Sequence, residues 1–250
     1  MLQTLGGVGG RMPLAVLGRH HLPEGTPWLG YREFVALCRT PLPNGRPRIF
    51  HARRNNEMIQ ALIAKRLLGA RIRIVFTSTA QREHTRFTRW LIGQMDGLIT
   101  TCSAAEAFLK RPADVTIPHG VDLERFHPPA NRAEAWKALN LPGTYGIGIF
   151  GRVRHQKGID LLIEAALPLL DKHPDPTIVV VGELTPKHRS FQQRLENKIS
   201  KAGLGARVVF LGKRPGEELP GLFRAMSLVT ALSRNEGFGL TVLEAMASGC

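Results

Sequence analysis

Short apolar runs alternate with longer amphipathic segments along most of this 250-residue chain. The apolar runs predict strands at residues 14–17, 48–51, 71–76, 97–101, 115–117, 145–150, 177–181, 207–211 and 227–232. Segments of helical composition follow most of them, at residues 56–68, 80–95, 104–110, 159–170, 187–202, 217–225 and 240–247. Residues 6–10 and 18–47, rich in glycine, proline or arginine, predict turns and loops. The alternation predicts an α/β fold, with parallel sheets that helices cover on both faces.

The loop between the last predicted strand and the last predicted helix has the composition of a ligand site. Gly237 and Gly239 allow a ligand to approach the backbone closely, and the helix start directs N–H groups and a positive dipole end at the same place. Glu236 lies in this loop and Glu244 in the helix, with seven residues between them. Such a site suits an anion or sugar hydroxyls, and a solvated glutamate pair is the alternative.

A second loop, residues 151–158, joins a predicted strand to a predicted helix and has glycine at both ends. It contains Arg152, Arg154 and Lys157, at the carboxyl end of the strand, where open α/β sheets bind their ligands. Fixed cations at this place suit a departing diphosphate, because they stabilise the charge that develops on it. A merely solvated basic loop is the alternative.

The formal net charge is +14, and the excess leans to the first half of the chain. Residues 1–130 contain 18 basic and 9 acidic side chains, a balance of +9, while residues 131–250 contain 16 basic and 11 acidic side chains, a balance of +5. This excess suits nucleic acid, an anionic membrane surface or an anionic substrate. The sequence has no zinc finger, RNA-binding aromatic motif or Lys/Arg block, so we expect no nucleic acid partner.

The first residues, the apolar runs and the cysteines of the chain indicate its cellular location and whether it binds a metal. The first residues lack the order of a signal peptide, and no apolar run has the length of a membrane span. The three cysteines, Cys38, Cys102 and Cys250, do not have the spacing of metal ligands. We therefore expect a cytoplasmic protein with no metal site and no disulfide framework.

Three stretches resemble motifs of the retaining glycosyltransferases of family 4. Residues 233–249, S-R-N-E-G-F-G-L-T-V-L-E-A-M-A-S-G, contain that family's E-x7-E motif. Residues 151–158 match its G-R-x-x-x-x-K-G loop. Residues 117–128 are similar to its I-P-N-G-V-D-x-x-x-F-x-P segment, with His119 at the usual asparagine. His119 and Asp122 are explained at least as well as turn and cap formers as by a ligand role.

The resemblance implies the GT-B fold, in which two Rossmann-like domains face a cleft. Residues 1–128 would form the acceptor-side domain and residues 129–250 the domain that binds the nucleotide sugar. Family members begin with a strand, a glycine-containing loop and a long helix that have no counterpart here, and they continue past the position of residue 249. We therefore expect a chain truncated at both ends, with both domains incomplete.

The resemblance also implies roles for the matching residues. Arg152 and Lys157 would contact the donor diphosphate without a metal, Glu236 would face the donor sugar, and the second motif glutamate would bind the ribose hydroxyls. The implied catalytic set is Glu236, Arg152 and Lys157. The implied donor-binding set is Gly151, Arg152, Lys157, Glu183, Glu236, Gly237, Phe238, Gly239 and Glu244, with Lys213 and Arg214 near the base. A carboxylate pair also suggests a glycosidase, against which the spacing of this pair argues only mildly.

Within the family, H-A-R-R-N and V-F-T-S-x-A-Q-R-x-H are similar to the lipopolysaccharide core mannosyltransferases of alphaproteobacterial type. That group implies GDP-mannose as donor, no cofactor, and an anionic lipid A core as acceptor. A UDP-sugar donor is the alternative within the same fold, and an inactive nucleotide-binding fragment is the alternative from another class. The candidate acceptor residues are His51, Arg53, Arg54 and His84.

The predicted helix at residues 80–95 places Arg82, Arg86 and Arg89 at i, i+4 and i+7, on one face. We expect this face to meet acidic lipid or acceptor, as a peripheral contact at the inner face of the inner membrane, or to be a plain solvated face. The pattern predicts that Phe87, Trp90 and Leu91 form the buried side of the helix and are not a membrane wedge.

Overall fold

The alternation of strands and helices predicted from the sequence is present in the structure, a computed structural model that describes residues 2–19, 22, 24–236 and 239–250. The chain divides into two compact units, Met1–Pro118 and His119–Cys250. Each unit contains a four-stranded sheet in which every strand pairing is parallel. The predicted α/β class, with two Rossmann-like sheets, is confirmed.

The first unit builds its main sheet from consecutive strands in the order β3-β4-β5-β6, and β1 and β2 form a small parallel pair. Its apolar core surrounds Met58, Ile74, Leu91 and Leu98, all nearly inaccessible to solvent. The elements are α1 (Leu2–Gly9), β1 (Val16–Leu17), β2 (Trp28–Leu29), α2 (Tyr31–Arg39), β3 (Arg48–Ala52), α3 (Asn55–Arg66), β4 (Ile72–Ser78), α4 (Arg86–Gly93), β5 (Gly97–Thr100), α5 (Ser103–Glu106) and β6 (Val115–Thr116).

The second unit has helices on both faces of its sheet. Because β-strand side chains alternate, Ile178 and Val180 join one apolar core, while Val179 and Val181 join the other. The elements are α6 (Arg132–Lys137), β7 (Tyr145–Phe150), α7 (Ile159–Lys172), β8 (Pro176–Val181), α8 (Arg189–Lys201), β9 (Val208–Gly212), α9 (Leu219–Ala225), β10 (Met226–Thr230) and α10 (Leu240–Ala247). Every position of β8 is buried, as expected of a central parallel strand.

The strand order of the second sheet, β10-β7-β8-β9, positions the candidate site. The chain proceeds outward from β7 to β9 and then returns to place β10 on the other side of β7. The carboxyl ends of β7 and β10 therefore form a topological switch point, which is the place where open α/β sheets bind ligands. We call residues 151–158 the β7 loop and residues 231–239 the β10 loop, of which the structure describes 231–236 and 239.

Helices replace two predicted loop regions of the first unit. The glycine-rich residues 6–10, predicted as a turn, continue helix α1 through Gly9. Helix α2 lies within the region predicted as loops, where Glu33 accepts the backbone N–H of Gly30 at 2.7 Å and stabilises the helix start. Its buried side chains are Phe34, Val35 and Cys38. The flanking prolines and glycines obscured this short amphipathic segment in the sequence.

Helix α4 is shorter than predicted and turns a different side toward the core. Its N-cap is Thr85, whose side chain accepts the N–H of Thr88, so Arg82 precedes the helix and does not share a helical face with the later arginines. Of the three apolar residues predicted to be buried, Leu91 is buried, but Phe87 and Trp90 are 54% and 53% exposed. The prediction was wrong for these two side chains, because Leu91 with its buried neighbours already fills the core side.

The division between the units lies earlier than the predicted boundary after residue 128. Phe126 is 2% exposed and packs edge-on against Phe223 of the second unit, with ring centroids 5.7 Å apart. Arg125 donates to the carbonyl oxygen of Gly216 at 2.9 Å. Asp122 acts as a turn former, since its carboxylate accepts backbone N–H groups two and three residues later. Residues 119–128 therefore belong to the second unit. In the described part of the chain, no helix combines the length and apolar character that a membrane span requires.

Candidate functional site

An ion pair joins the two loops at the switch point of the second unit. Lys157 of the β7 loop lies 2.6 Å from the carboxylate of Glu236 in the β10 loop, measured from Nζ to Oε2. The lysine side chain is 20% exposed and the glutamate side chain 43% exposed. The stem of Lys157 packs over Gly151, where a Cβ atom would lie 3.2 Å from its Cε. Two of the three predicted catalytic residues are thus in direct contact.

A set of polar contacts, which we call the loop clasp, holds the β7 and β10 loops together. The backbone N–H of Arg234 donates to the carbonyl of Gln156 at 2.8 Å, and the Gln156 side chain donates to the carbonyl of Asn235 at 2.9 Å. The guanidinium of Arg234 makes a bidentate pair with Asp160 at 2.9 and 2.8 Å and also donates to the carbonyl of His155 at 2.6 Å. Arg234 therefore fixes the loop that carries Glu236.

The Asp160 carboxylate at the start of α7 stays charged at neutral pH. Burial raises its pKa, but the hydrogen bonds and the positive charge of Arg234 outweigh burial, so the pKa lies below the ordinary value. Sequence analysis missed this pair. The S-R-N-E run placed Arg234 near Glu236, but nothing in the sequence indicated a partner in another element.

Close backbone contact with the β7 loop requires glycine at two positions. Gly158 has a φ of +72°, and a Cβ atom there would overlap the carbonyl oxygen of Leu232. A Cβ atom at Gly182 would overlap the carbonyl oxygen of Gly151. The glycine that ends the β7 loop is thus required for conformation and for packing.

A cavity of about 220 Å³ opens beside this ion pair, entirely within the second unit. Arg152, Lys213 and Arg214 bring positive charge to it, and Glu244 brings the single carboxylate among its lining residues. Phe150 and Phe223, stacked 3.9 Å apart, contribute an apolar part of the wall. The remaining lining residues are Gly151, Val181, Gly182, Leu219 and Thr241. A larger cavity of about 420 Å³ lies between α8 and β9, away from every predicted site residue.

The two motif glutamates lie in different surroundings. Burial raises the pKa of Glu244, and the charge of Arg125 opposes this effect only in part. Glu236 is instead paired with a lysine in an accessible position. The Glu244 carboxylate thus lies at a confined cavity, whereas the Glu236 carboxylate is part of an ion pair.

Four other predicted donor residues do not line the cavity in the described part of the chain. The side chain of Glu183 is exposed and is not among the residues that line the cavity, although its carbonyl accepts the N–H of Val153 at 2.9 Å. Gly239 is the N-cap residue of α10 and has a φ of +78°. Gly237 and Phe238 lie outside the described residues.

The candidate acceptor residues of the first unit do not converge on one point. His51 contacts Thr77 at 2.7 Å and His84 contacts Ser78 at 3.3 Å. Thr77 and Ser78 are consecutive in β4, so their side chains point to opposite faces of the sheet. Partial desolvation, reinforced by nearby arginines, lowers the pKa of both histidines and keeps them neutral at pH 7.

Arg53 and Arg54 lie at the start of α3, on the exposed surface of the first unit. The Arg53 backbone N–H donates to Glu57 at 2.7 Å, and Arg54 occupies the N-cap position. Across the described ranges of the chain, no three His, Cys, Asp or Glu side chains are grouped as metal ligands.

Comparisons with known proteins indicate the family to which the chain is similar. The family described as glycosyl transferases group 1 matches residues 132–250, which include both loops. A lipopolysaccharide core biosynthesis mannosyltransferase LpcC from Rhizobium leguminosarum bv. viciae is 46% identical over 227 residues. That match covers 91% of this chain and 63% of the relative, so the chain spans less than two thirds of the relative's length.

Two solved structures extend the comparison. The C-terminal domain of a glycosyl transferase group 1 family protein (LpcC) from Francisella tularensis is 48% identical, with a TM-score of 0.51, covering 52% of this chain and 68% of that domain. Anabaena HepE in complex with UDP and glucose has a TM-score of 0.72 at 23% identity, covering 88% of this chain and 60% of HepE. The second likeness concerns the fold alone, which is the GT-B fold that the motifs implied. Together with the matched motifs, these similarities show that the chain belongs to the glycosyl transferases group 1 family.

Proposed function

We propose that the protein is a retaining hexosyltransferase (EC 2.4 class) that transfers mannose from GDP-mannose to the anionic inner core of lipopolysaccharide. The observation that carries the proposal is the Lys157–Glu236 ion pair, at a switch point beside a basic cavity that contains Glu244. The identity to the Rhizobium mannosyltransferase supports the choice of mannose and of the core acceptor.

Stabilisation of the departing diphosphate is the first chemical task of such a transfer. Arg152 lines the cavity and Lys157 lies at its edge over Gly151, so both cations are at the carboxyl end of β7. Their fixed positive charges would offset the negative charge that develops when the bond between sugar and phosphate breaks. In this proposal the two side chains supply the electrostatic stabilisation, and no metal cofactor takes part.

The two glutamates divide the recognition of the donor between them. Glu244, the carboxylate in the cavity, would accept hydrogen bonds from the ribose hydroxyls. Glu236 would face the sugar, and the backbone of Gly239 would lie beside it. A bound diphosphate would compete with Glu236 for the Lys157 ammonium, which would leave the glutamate available to the sugar.

The acceptor belongs to the first unit in this proposal. The lipid A core carries carboxylates and phosphates, and Arg53 and Arg54 are exposed cations that suit such groups. His51 and His84, both neutral at pH 7, are the candidate hydrogen-bonding groups, and since they contact opposite faces of β4 we expect only one of them to be used.

Calorimetric titration of GDP and GDP-mannose into the 250-residue chain tests the donor site. We expect binding, and we expect Lys157→Ala to weaken it by at least about tenfold, because a charge-assisted contact to the diphosphate is lost. Lys201→Ala, an exposed lysine at the end of α8, is the matched control and should bind as the wild type does.

Three results would contradict the proposal. Tighter binding of UDP than of GDP would replace mannose with a UDP-sugar donor. Absence of binding by the folded protein would indicate that this chain has no working donor site. Equal loss in both lysine variants would show a general charge effect and not a contact of the β7 loop.

A further inference from the structure

One arginine of the β7 loop has no partner for its side chain. The loop contains three cations, and two of them have assigned places, since Arg152 lines the cavity and Lys157 pairs with Glu236. No residue that the structure describes gives the side chain of Arg154 a hydrogen bond, an ion pair or an aromatic contact. The G-R-x-x-x-x-K-G pattern leaves this position open, so the proposed function assigns no role to Arg154.

The Arg154 guanidinium is held in surroundings that cost free energy. Its Nε atom is inaccessible to solvent and has no hydrogen-bond partner. Within the described ranges, the only other inaccessible side-chain atom without a partner is the hydroxyl of Thr101, which carries no charge. Desolvating a charged donor without a partner costs more than desolvating a hydroxyl. A fold retains such a group where ligand binding requires it.

The backbone around Arg154 is fixed on both sides. The N–H of Val153 donates to the carbonyl of Glu183 at 2.9 Å, and the carbonyl of His155 accepts a hydrogen bond of the loop clasp at 2.6 Å. The carbonyl of Arg154 accepts the N–H of Lys157 at 2.9 Å, so these two residues belong to one tight turn. A ligand bound at this turn would therefore find the arginine already in place, which lowers the cost of ordering it.

The position of Arg154 separates it from the nucleotide. It is not among the described residues that line the cavity, where Arg152, Lys213 and Arg214 already supply three cations. Nε is the one nitrogen of the Arg154 guanidinium that is inaccessible, so a ligand can reach the two terminal nitrogens. Two such nitrogens match the two oxygens of a carboxylate. One guanidinium neutralises a carboxylate, whereas a phosphate monoester carries nearly two charges at neutral pH.

We propose that Arg154 binds a carboxylate of the acceptor sugar and thereby selects an acidic acceptor. The inference rests on the proposed function, in which the acceptor is the anionic core of lipopolysaccharide. In that reaction Arg152 and Lys157 would hold the donor diphosphate, and Arg154, in the same loop, would hold the acid group of the second substrate. A neutral acceptor would leave the guanidinium unpaired, which makes Arg154 a residue that determines specificity.

Titration of a soluble sugar acid into the full chain tests the proposal. The probe is the eight-carbon sugar acid Kdo, observed by NMR, and its methyl ester is the neutral counterpart. We expect the wild type to bind the acid about tenfold more tightly than the ester, because the acid alone makes the charge-assisted contact. Arg154→Gln should weaken binding of the acid about tenfold and leave binding of the ester unchanged. Arg154→Lys, which keeps the charge but loses the planar fork, should give an intermediate affinity.

Further measurements distinguish a binding role from a structural one. The thermal midpoint of Arg154→Gln should equal or exceed that of the wild type, because the substitution removes a desolvated charge without a partner. Its affinity for GDP should stay within about threefold of the wild-type value. Arg189→Gln, at the exposed start of α8, is the matched control and should bind the acid as the wild type does. The titrations are performed with and without GDP, so that failure of the donor site and failure of the Arg154 contact give different results.

Four outcomes would overturn the proposal. Equal affinity of the wild type for acid and ester, or equal loss in the Arg154 and Arg189 variants, would show that this position binds no carboxylate. A loss of GDP affinity as large as the loss for the acid would assign Arg154 to the donor diphosphate. Tighter binding of inorganic phosphate than of the acid, abolished by Arg154→Gln, would assign the position to a phosphate. A lower thermal midpoint with unchanged affinity for the acid would make Arg154 a structural residue of the β7 loop.

Discussion

At the scale of single residues, the two glutamates of the E-x7-E motif have different electrostatic properties. Glu236 is 43% exposed and paired with Lys157, whereas burial raises the pKa of Glu244. Sequence analysis assigned both glutamates to one predicted donor site, which stays a prediction. It did not predict the difference, because residues that line the cavity together with Glu244, such as Phe150, are distant from it in sequence.

The raised pKa of Glu244 makes stability depend on pH in a defined direction. The folded state holds the proton more tightly than the unfolded state, so the contribution of Glu244 to stability is fully present below the ordinary pKa of 4.5 and is lost as pH rises through the folded pKa. We expect Glu244→Gln to raise the midpoint of thermal unfolding by about 2 °C at neutral pH and to have little effect below about pH 4. The same variant should bind GDP more weakly, since a neutral amide with one acceptor oxygen replaces the charged carboxylate proposed to accept the ribose hydroxyls.

Differential scanning calorimetry over a pH series is the appropriate measurement. Glu134→Gln, in the first turn of α6, is a suitable comparison, because no contact with the cavity involves it. A stabilisation of Glu244→Gln that is equally large at acid and neutral pH would contradict the explanation based on burial.

At the scale of elements, the sequence pattern predicted most strands and helices of the second unit closely. Strand β7 and helix α10 begin and end where the pattern placed them, because turn-forming residues border each one. Helices α2 and α4 were predicted poorly. Helix α2 lies in a segment rich in proline and glycine. Helix α4 begins only after its N-cap Thr85, whereas the sequence pattern predicted a continuous helix from residue 80.

The loop clasp could not be predicted from the sequence, because Arg234 and Asp160 are 74 residues apart and belong to different elements. Asp160 is charged in the folded state with a lowered pKa, so its contribution to stability is present above the ordinary pKa of 3.8 and is lost as pH falls through the folded value. We expect Asp160→Asn to lower the thermal midpoint by about 3–6 °C at neutral pH and to weaken GDP binding, with the difference in stability disappearing in acid.

Asp171→Asn provides the control on the same helix, because Asp171 is exposed near the carboxyl end of α7 and should tolerate the change. Thermal unfolding and GDP titration of both variants are compared at neutral and acid pH. A loss of stability without any loss of GDP affinity would show that the clasp supports the fold but does not position the site.

At the scale of the whole molecule, the division into two units differs from the prediction by the segment of residues 119–128. The motif resemblance identified the junction between the two units, but packing determines which unit residues 119–128 belong to. Phe126 and Arg125 contact residues 223 and 216, and these contacts have no signal in the local sequence. Two parallel sheets and their helices were predictable because apolar periodicity is local.

This packing predicts where the chain is cut first between the units. Residues 117–120 have neither helix nor strand and are largely exposed, whereas Phe126 anchors the residues that follow. We expect brief digestion with a nonspecific protease to cut within residues 117–120 and to leave a fragment that retains residues 122–128. Mass spectrometry of the fragments gives the cut position. Cutting after residue 128, with residues 119–128 left on the first fragment, would support the boundary predicted from the sequence.

Arg234 links the β10 loop to the β7 loop through its main chain and its side chain. A chimera of two related proteins should therefore take both loops from the same parent. A chimera whose crossover falls between α7 and β10 would take Asp160 from one parent and Arg234 from the other. Unless both parents share this pair, such a chimera would leave a carboxylate or a guanidinium without its partner. Crossovers placed before β7 or after α10 transfer the clasp, the cavity and both glutamates intact. Chimeras designed to exchange donor specificity between relatives should therefore have their crossovers before β7 or after α10.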